Sequence, residues 1–119
     1  MTLLTDIIAV HNFLVACAAS GHTTNYEAVA VATGLPSSGN QLGSTLSPIL
    51  GKIFRWCETN GMPPLTSIVV RKSGADAGLP GAGFWTLAYP ARELNKVEKK
   101  LMTAVYQERV FTVYGALNQ

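Results

Sequence analysis

The chain has 119 residues, of which 48% are hydrophobic and only 13% are charged, and its formal net charge is +2. This length is enough to bury one core but not two, so we expect a single domain over residues 1–119. The net charge is too small to indicate nucleic-acid binding by itself, and the apolar excess favours a second copy or a partner that covers part of the surface.

The first predicted element is a helix over residues 3–20 with an unusually wide apolar surface. Such a helix is nearly surrounded, either by its own domain or by the other subunit of a homodimer. Its apolar run contains Asp6, His11 and Asn12, and no basic residue precedes it, so we expect neither a signal peptide nor a membrane-spanning helix. Cys17 and Cys57 lack metal-ligand spacing and favour a reducing, cytoplasmic location.

Two further helices joined by a Gly-Leu-Pro turn are predicted between His22 and Asn60. Thr24 stands three residues before Glu27, which is the spacing of a capping box, and Gly34 is placed to end this helix. Ser38 opens the next helix in the same way, three residues before Gln41, and apolar residues then follow helical spacing as far as Cys57. This pattern is typical of a helix-turn-helix.

The polar face of this second helix is free of acidic residues until Glu58. A face of this kind suits a negatively charged partner. Pro48 lies within the helix, where proline costs about 3 kcal/mol, so we expect a kink or a short break there.

A strand, a glycine-rich loop and a second strand are predicted next, over Thr66–Lys72 and Phe84–Tyr89. Pro90 begins a last helix whose predicted buried stripe comprises Leu94, Val97, Leu101 and Val105. The segment VFTVYG could be a final helical turn or a short third strand, and its Val and aromatic content favours the strand. The predicted fold is α+β, a winged helix-turn-helix that is mostly helical with a small antiparallel β-hairpin as its wing.

Three short motifs in residues 22–89 carry a resemblance to a known family. Tyr26–Ala30 leads into the Gly-Leu-Pro turn, Asn40–Gly43 occupies the place of an Arg-Ala-Val-Gly recognition helix, and Pro64–Val70 that of a Pro-Cys-His-Arg-Val segment. In these respects the chain resembles the DNA-binding domain of alkylguanine-DNA alkyltransferases and alkyltransferase-like proteins. It is also similar to a group of bacterial and phage proteins with a Pro-Gly-x-Gly-Phe loop, matched here by Pro80–Phe84.

The chain departs from this family at its reactive residues. The nucleophilic cysteine of the family would fall at Leu65, and the next two residues are Thr66 and Ser67 where the family has histidine and arginine. Asn40 takes the place of the arginine that pushes a base out of the duplex. The resemblance therefore implies DNA binding without alkyl transfer.

Side chains on the second helix and beside the loop are the candidate DNA contacts. Asn40 and Gln41 can pair bidentately with adenine in the major groove, although Gln41 could instead only complete its capping box. Basic side chains need only charge to contact phosphates, but each could equally be a solvated surface residue. The predicted DNA-binding surface comprises Ser38, Asn40, Gln41, Ser44, Thr45, Lys52, Arg55, Arg71 and Lys72.

Other chemistry has little support in the sequence. His11 and His22 have no ligand partners at metal spacing, the carboxylates form no acid–base pair, and Cys57 falls on a core face. We therefore expect no metal, no cofactor and no enzymatic activity. The leading hypothesis is a non-enzymatic protein that binds double-stranded DNA, and the alternative is a protein-interaction module, such as a phage or plasmid anti-defence (for example anti-CRISPR) protein that binds a host protein.

Overall fold

The computed structural model describes residues 3–37 and 39–117, the side chains of residues 3 and 40 excepted. Five α-helices account for most of these residues, together with one short 3-10 helix and two strands of two residues each. In chain order the elements are α1 Leu3–Ala19, β1 Thr24–Asn25, α2 Tyr26–Thr33, α3 Gly39–Thr59, the 3-10 helix Leu65–Ile68, β2 Val69–Val70, α4 Ala82–Ala88 and α5 Lys96–Leu117.

Helix α1 confirms the first predicted helix and is the centre of the main core. Val10, Leu14 and Ala18 recur every four residues, are at most 1% exposed and face α2, α3 and α5. Leu4 and Ile8 are exposed, so the described residues do not surround the first two turns.

The two central helices confirm the predicted helix–turn–helix order, although their caps differ in part. Helix α2 is followed by Gly34, whose φ of 74° is the left-handed conformation expected after a helix end. The predicted capping box of Thr24 is wrong, because Thr24 lies in β1. The cap is Asn25, whose side chain accepts a hydrogen bond from the Ala28 N–H at 2.9 Å. The predicted cap Ser38 lies outside the described residues.

Helix α3 continues through Pro48 from Gly39 to Thr59, so a break there was a wrong prediction. Its predicted apolar face is confirmed, since Leu46, Ile49, Ile53 and Cys57 are all at most 2% exposed. Burial of this continuous face compensates for the backbone hydrogen bond that proline cannot donate.

The predicted β-hairpin wing is wrong. The first three residues of its first strand belong instead to the 3-10 helix Leu65–Ile68. The next two form β2, which pairs in parallel with β1, with Thr24 opposite Val69 and Asn25 opposite Val70. All four residues of the 3-10 helix are buried, and it packs against α1, α3 and α5. A wing that projects into solvent could not bury this segment on every side.

The second predicted strand of the wing is also wrong, because Phe84 and most of the residues after it belong to α4. Phe84 and Trp85 are both buried in one cluster with Phe54 and Leu94. Successive strand residues would point to opposite faces, whereas adjacent helical positions can pack into the same cluster. The winged helix-turn-helix is therefore replaced by a mostly helical fold with one small parallel strand pair.

The last helix was predicted with the wrong boundaries and the wrong buried face. It begins at Lys96 and continues to Leu117 through the segment for which a third strand was favoured. Val97, Leu101 and Val105 are 76%, 62% and 40% exposed, although Leu94 is buried in the preceding loop. The buried residues of α5 are instead Thr103, Val110 and Tyr114.

A reciprocal capping box defines the start of α5. The Asn95 side chain accepts a hydrogen bond from the Glu98 backbone N–H at 2.9 Å, and the Glu98 carboxylate accepts one from the Asn95 backbone N–H at 2.9 Å. Arg92 also donates to this carboxylate. The backbone N–H of Asn95 and the Arg92 contact together lower the pKa of Glu98.

We expect Glu98 to contribute to acid sensitivity. A carboxyl group whose pKa is lower in the folded state stabilises that state above its unfolded pKa, and the contribution is lost as the pH falls through the folded pKa. The melting temperature should therefore fall less in Glu98→Gln than in the native chain between about pH 6 and about pH 3. Circular dichroism measures the melting temperatures of both proteins, and an equal fall in the two would contradict this role of Glu98. Glu27, whose pKa Lys72 lowers, remains unchanged in both proteins.

Candidate functional site

The exposed face of α3 is the surface that sequence analysis predicted as a DNA contact. Gln41, Ser44, Lys52 and Arg55 are exposed on it, and Thr45 is half-buried. No carboxylate occurs along α3 until Glu58, so this face is polar and partly basic over its first four turns. Asn40 lies in the first turn of the same helix.

Two of the four predicted phosphate contacts are instead paired with acidic residues. Arg55 Nη1 lies 3.1 Å from Glu58 Oε1, and Lys72 Nζ lies 2.8 Å from Glu27 Oε1. Both pairs are exposed and contribute little to stability, but each reduces the positive potential that a phosphate would meet. Among the described residues, Lys52 and Arg71 have no acidic partner.

Beside this face lies a cavity of about 420 Å³ between α3 and α4, which we name the α3–α4 cleft. Small residues four positions apart on α3 form one of its edges, and Gly81 to Gly83 form part of the opposite edge. Its apolar wall consists of Leu42, Leu50, Phe54, Phe84 and Leu87.

Polar groups from three separate segments meet in the α3–α4 cleft. The Tyr26 hydroxyl accepts the Gly81 N–H bond at 2.7 Å, and burial raises the pKa of Tyr26 although Gly81 and Arg71 oppose this shift. Arg71 also lines the cleft, where its backbone N–H donates to Leu79 at 2.9 Å. Thr66, 5% exposed, completes this wall.

Most residues of this cleft are not among the predicted site residues. Tyr26 was noted only as part of a family resemblance, and neither Thr66 nor Gly81 was selected as a site residue. Tyr26 and Gly81 are 55 residues apart, and no local pattern connects them. Of the predicted site residues with described side chains, Arg71 alone lines the cleft.

The two cysteines are poor candidates for covalent chemistry. Burial raises the pKa of the Cys17 thiol and also that of Cys57, so both are held in the less reactive protonated form. Leu65 is fully buried. In the part of the chain that the structure describes, no three His, Cys, Asp or Glu residues lie together as a metal site would require.

Comparisons with known proteins identify no relative. No family model matches the chain, and neither a curated protein nor a solved structure matches it. Across residues 3–37 and 39–117, no helix has the length and apolar character needed to cross a membrane. Function has therefore to be inferred from the surface chemistry.

The close contact between Tyr26 and Gly81 predicts that a side chain at position 81 would destabilise the protein. A Cβ atom at Gly81 would lie 2.6 Å from the Tyr26 hydroxyl oxygen and 3.3 Å from its Cζ. Gly81→Ala should therefore displace the ring and lower the free energy of unfolding by about 1–3 kcal/mol. Chemical denaturation followed by circular dichroism measures this loss.

A double-mutant cycle separates this clash from a general effect of the substitution. Tyr26→Phe alone removes the bond from Gly81 and should cost about 1 kcal/mol. Because it also removes the oxygen that a Cβ would meet, the double variant should lose less than the sum of the single losses, by about 1 kcal/mol. Simple additivity would show that Gly81 does not act through Tyr26.

Proposed function

We propose that the protein is a non-enzymatic DNA-binding protein that places the exposed face of α3 in the major groove of double-stranded DNA. The observation that carries this proposal is the polar face of α3, which is free of carboxylates from Gly39 to Cys57. An α-helix fits the major groove, and side chains in its first turn are placed to reach base edges.

The basic residues that have no acidic partner indicate which side chains would contact the DNA. Lys52 and Arg71 would contact phosphates, and Gln41 would reach a base edge, with Asn40 beside it in the first turn. The glycine-rich segment between β2 and α4 takes part only through Arg71, since the expected hairpin wing is absent from the described residues. The raised pKa values of Cys17 and Cys57 disfavour either thiol as a nucleophile.

Binding through so few free cations should be weak and only moderately sensitive to salt. Each phosphate contact contributes about −0.9 to the slope of log affinity against log salt, so two contacts give a slope of roughly −2. Fluorescence anisotropy with a random-sequence duplex at two or more salt concentrations measures this slope. Affinity that does not change with salt would contradict the proposal.

Release of Lys72 from its acidic partner should strengthen DNA binding. Glu27→Gln removes the charge that lies 2.8 Å from Lys72 Nζ. One additional phosphate contact should raise the affinity roughly fivefold to tenfold at about 0.1 M salt. The same anisotropy titration tests this gain, and Lys52→Gln should cause a loss of similar size.

Glu93→Gln is the matched control, because it makes the same change in net charge at another place. Glu93 is exposed in the loop before α5 and lines a pocket to which α3 contributes no described residue. We expect this variant to change the affinity far less than Glu27→Gln. Equal gains in the two variants would show that net charge, not the α3 face, governs binding.

A second candidate function is a protein-interaction module, for which one surface gives specific support. Val97, Leu101 and Val105 are exposed at intervals of four residues along one face of α5. An unpartnered apolar stripe of this kind is typical of a protein contact, with either a host protein or a second copy of the chain as the partner.

Sedimentation velocity distinguishes the self-association form of this candidate. Leu101→Lys should convert a dimer to a monomer, whereas Leu4→Lys, at another exposed leucine, should not. If the DNA proposal is right, Leu101→Lys should also leave duplex binding unchanged or slightly stronger, because the substituted residue lies on α5 and not on α3.

A further inference from the structure

The α3–α4 cleft has a single charged group in its wall. Arg71 is the only charged residue among the described residues that line it, and none of the ion pairs among the described residues includes Arg71. The backbone of Arg71 is held on both sides, because its N–H donates to Leu79 and its carbonyl accepts from Gly78 at 2.8 Å. The Arg71 residue is exposed, and its guanidinium matches the geometry of a carboxylate or a phosphate.

Two residues that line the α3–α4 cleft carry hydroxyl groups whose hydrogen-bonding capacity is not fully used among the described residues. The Tyr26 hydroxyl accepts from Gly81 but has no acceptor for its own hydrogen among the described residues. Burial raises the pKa of Tyr26, which keeps this hydrogen in place at neutral pH. Thr66 is only 5% exposed, and its hydroxyl likewise has no hydrogen-bond partner in residues 3–37 and 39–117. Buried hydroxyl groups without partners are rare in folded proteins.

The rest of the cleft is apolar and is kept open by small residues. Leu42, Leu50 and Phe84 line it, and its volume of about 420 Å³ lies within the usual range for small-molecule sites. A Cβ atom added at Gly43 or at Gly83 would meet nothing within 4 Å. The positions beside these two glycines are therefore not filled by neighbouring atoms.

We propose that the α3–α4 cleft binds a small molecule with an apolar body and one terminal anionic group, either a carboxylate or a phosphate monoester. The anionic group pairs with Arg71 and accepts the hydrogen of the Tyr26 hydroxyl, and the apolar body covers Leu50 and Phe84. Of the groups proposed to contact DNA, Lys52 and Gln41 lie outside the cleft and Arg71 lines it. A duplex and the small molecule would therefore compete for Arg71, but neither needs the other to bind.

Nuclear magnetic resonance of the ¹⁵N-labelled chain tests this inference with three probes. Phenylacetate and phenyl phosphate carry the required anion, whereas phenylacetamide has the same ring and no charge. Both anions should shift the backbone amide signals of Gly43, Gly51, Gly81 and Gly83 and saturate by millimolar concentration. Phenylacetamide should bind at least about tenfold more weakly. The tighter of the two anions identifies the class of natural ligand.

Four variants separate a built site from a general affinity for aromatic compounds. Gly43→Leu fills the cleft while it raises helix propensity, so the variant should fold and bind neither anion. Arg71→Gln should weaken binding about tenfold and Tyr26→Phe about threefold. Lys100→Gln, which removes an exposed positive charge on α5 outside the cleft, should leave binding of both anions unchanged.

Several results would overturn the inference. Equal affinity for phenylacetamide and phenylacetate would exclude recognition of the anion by Arg71. Unchanged binding in a folded Gly43→Leu variant, shifts that extend equally to Gly21, Gly61 and Gly115, or a lack of saturation at millimolar concentration would exclude the cleft. None of these results depends on whether the chain binds a duplex, so failure of the DNA proposal remains distinguishable.

Discussion

Leu14→Ala should lower the free energy of unfolding by about 3–5 kcal/mol, the largest loss that we expect from a single substitution. Leu14 is fully buried at the centre of α1, in a core that also contains residues of α2, α3 and α5. Removal of its three terminal carbons loses hydrophobic burial and leaves a cavity that the packed helices fill only in part. Urea denaturation followed by circular dichroism measures the loss.

Leu4→Ala provides the control, because it makes the same chemical change in the same helix. Leu4 is 71% exposed, so its truncation should alter the free energy of unfolding by no more than about 0.5 kcal/mol. Similar losses in the two variants would contradict the orientation of α1. A large loss at Leu4 that depended on protein concentration would indicate a dimer contact there.

Pro48→Ala should raise the free energy of unfolding by about 1–3 kcal/mol. Proline at this position cannot donate a backbone hydrogen bond to Ser44, and its ring crowds the preceding turn. Pro48 is exposed, so its replacement loses little packing. The greater freedom of alanine in the unfolded chain offsets about 0.4–1 kcal/mol of this gain. Thermal and urea denaturation both measure the change.

Pro90→Ala is a suitable control for the loss of a proline outside a helix. Pro90 is exposed in a turn after α4, so this substitution should have a small effect and should lower rather than raise stability. A destabilised Pro48→Ala variant would show that the proline itself fixes a helix geometry on which the core of α3 depends.

Helices whose sequences carry a clear apolar spacing or an end signal were predicted correctly. The apolar spacing of α3 identifies its buried face, and Gly34 marks the end of α2. In α1 the spacing identifies the helix but not its buried face, because Leu4 and Ile8 are exposed. The wing could not be rejected from sequence in this way. Helix α4 begins at Ala82, and Gly81 before it offers no capping side chain. Val69 and Val70 in the predicted first strand are typical of a strand.

The choice between two apolar faces of α5 also depended on tertiary contacts. Val97 and Leu101 form a stripe at helical spacing, and so do Val110 and Tyr114, but only the second pair is buried. Both stripes satisfy the same periodicity, and the sequence does not indicate which one the other helices contact.

The candidate site shows the same division between local and distant pairs. The ion pair of Arg55 with Glu58 has a spacing that can be read from the sequence, since residues three apart are neighbours on a helix. The ion pair of Lys72 with Glu27 spans 45 residues, and no local pattern predicts it. The predicted basic surface was therefore larger than the one that the fold presents.

The parallel pairing of β1 with β2 has a consequence for folding kinetics. Contacts among α1, α2 and α3 join neighbouring segments, whereas the strand pair and the Tyr26–Gly81 contact close long loops. Loop closure is entropically costly and is favoured only after local structure has formed. The three N-terminal helices should therefore assemble first, and weakening of the strand junction should accelerate unfolding while the folding rate stays nearly constant.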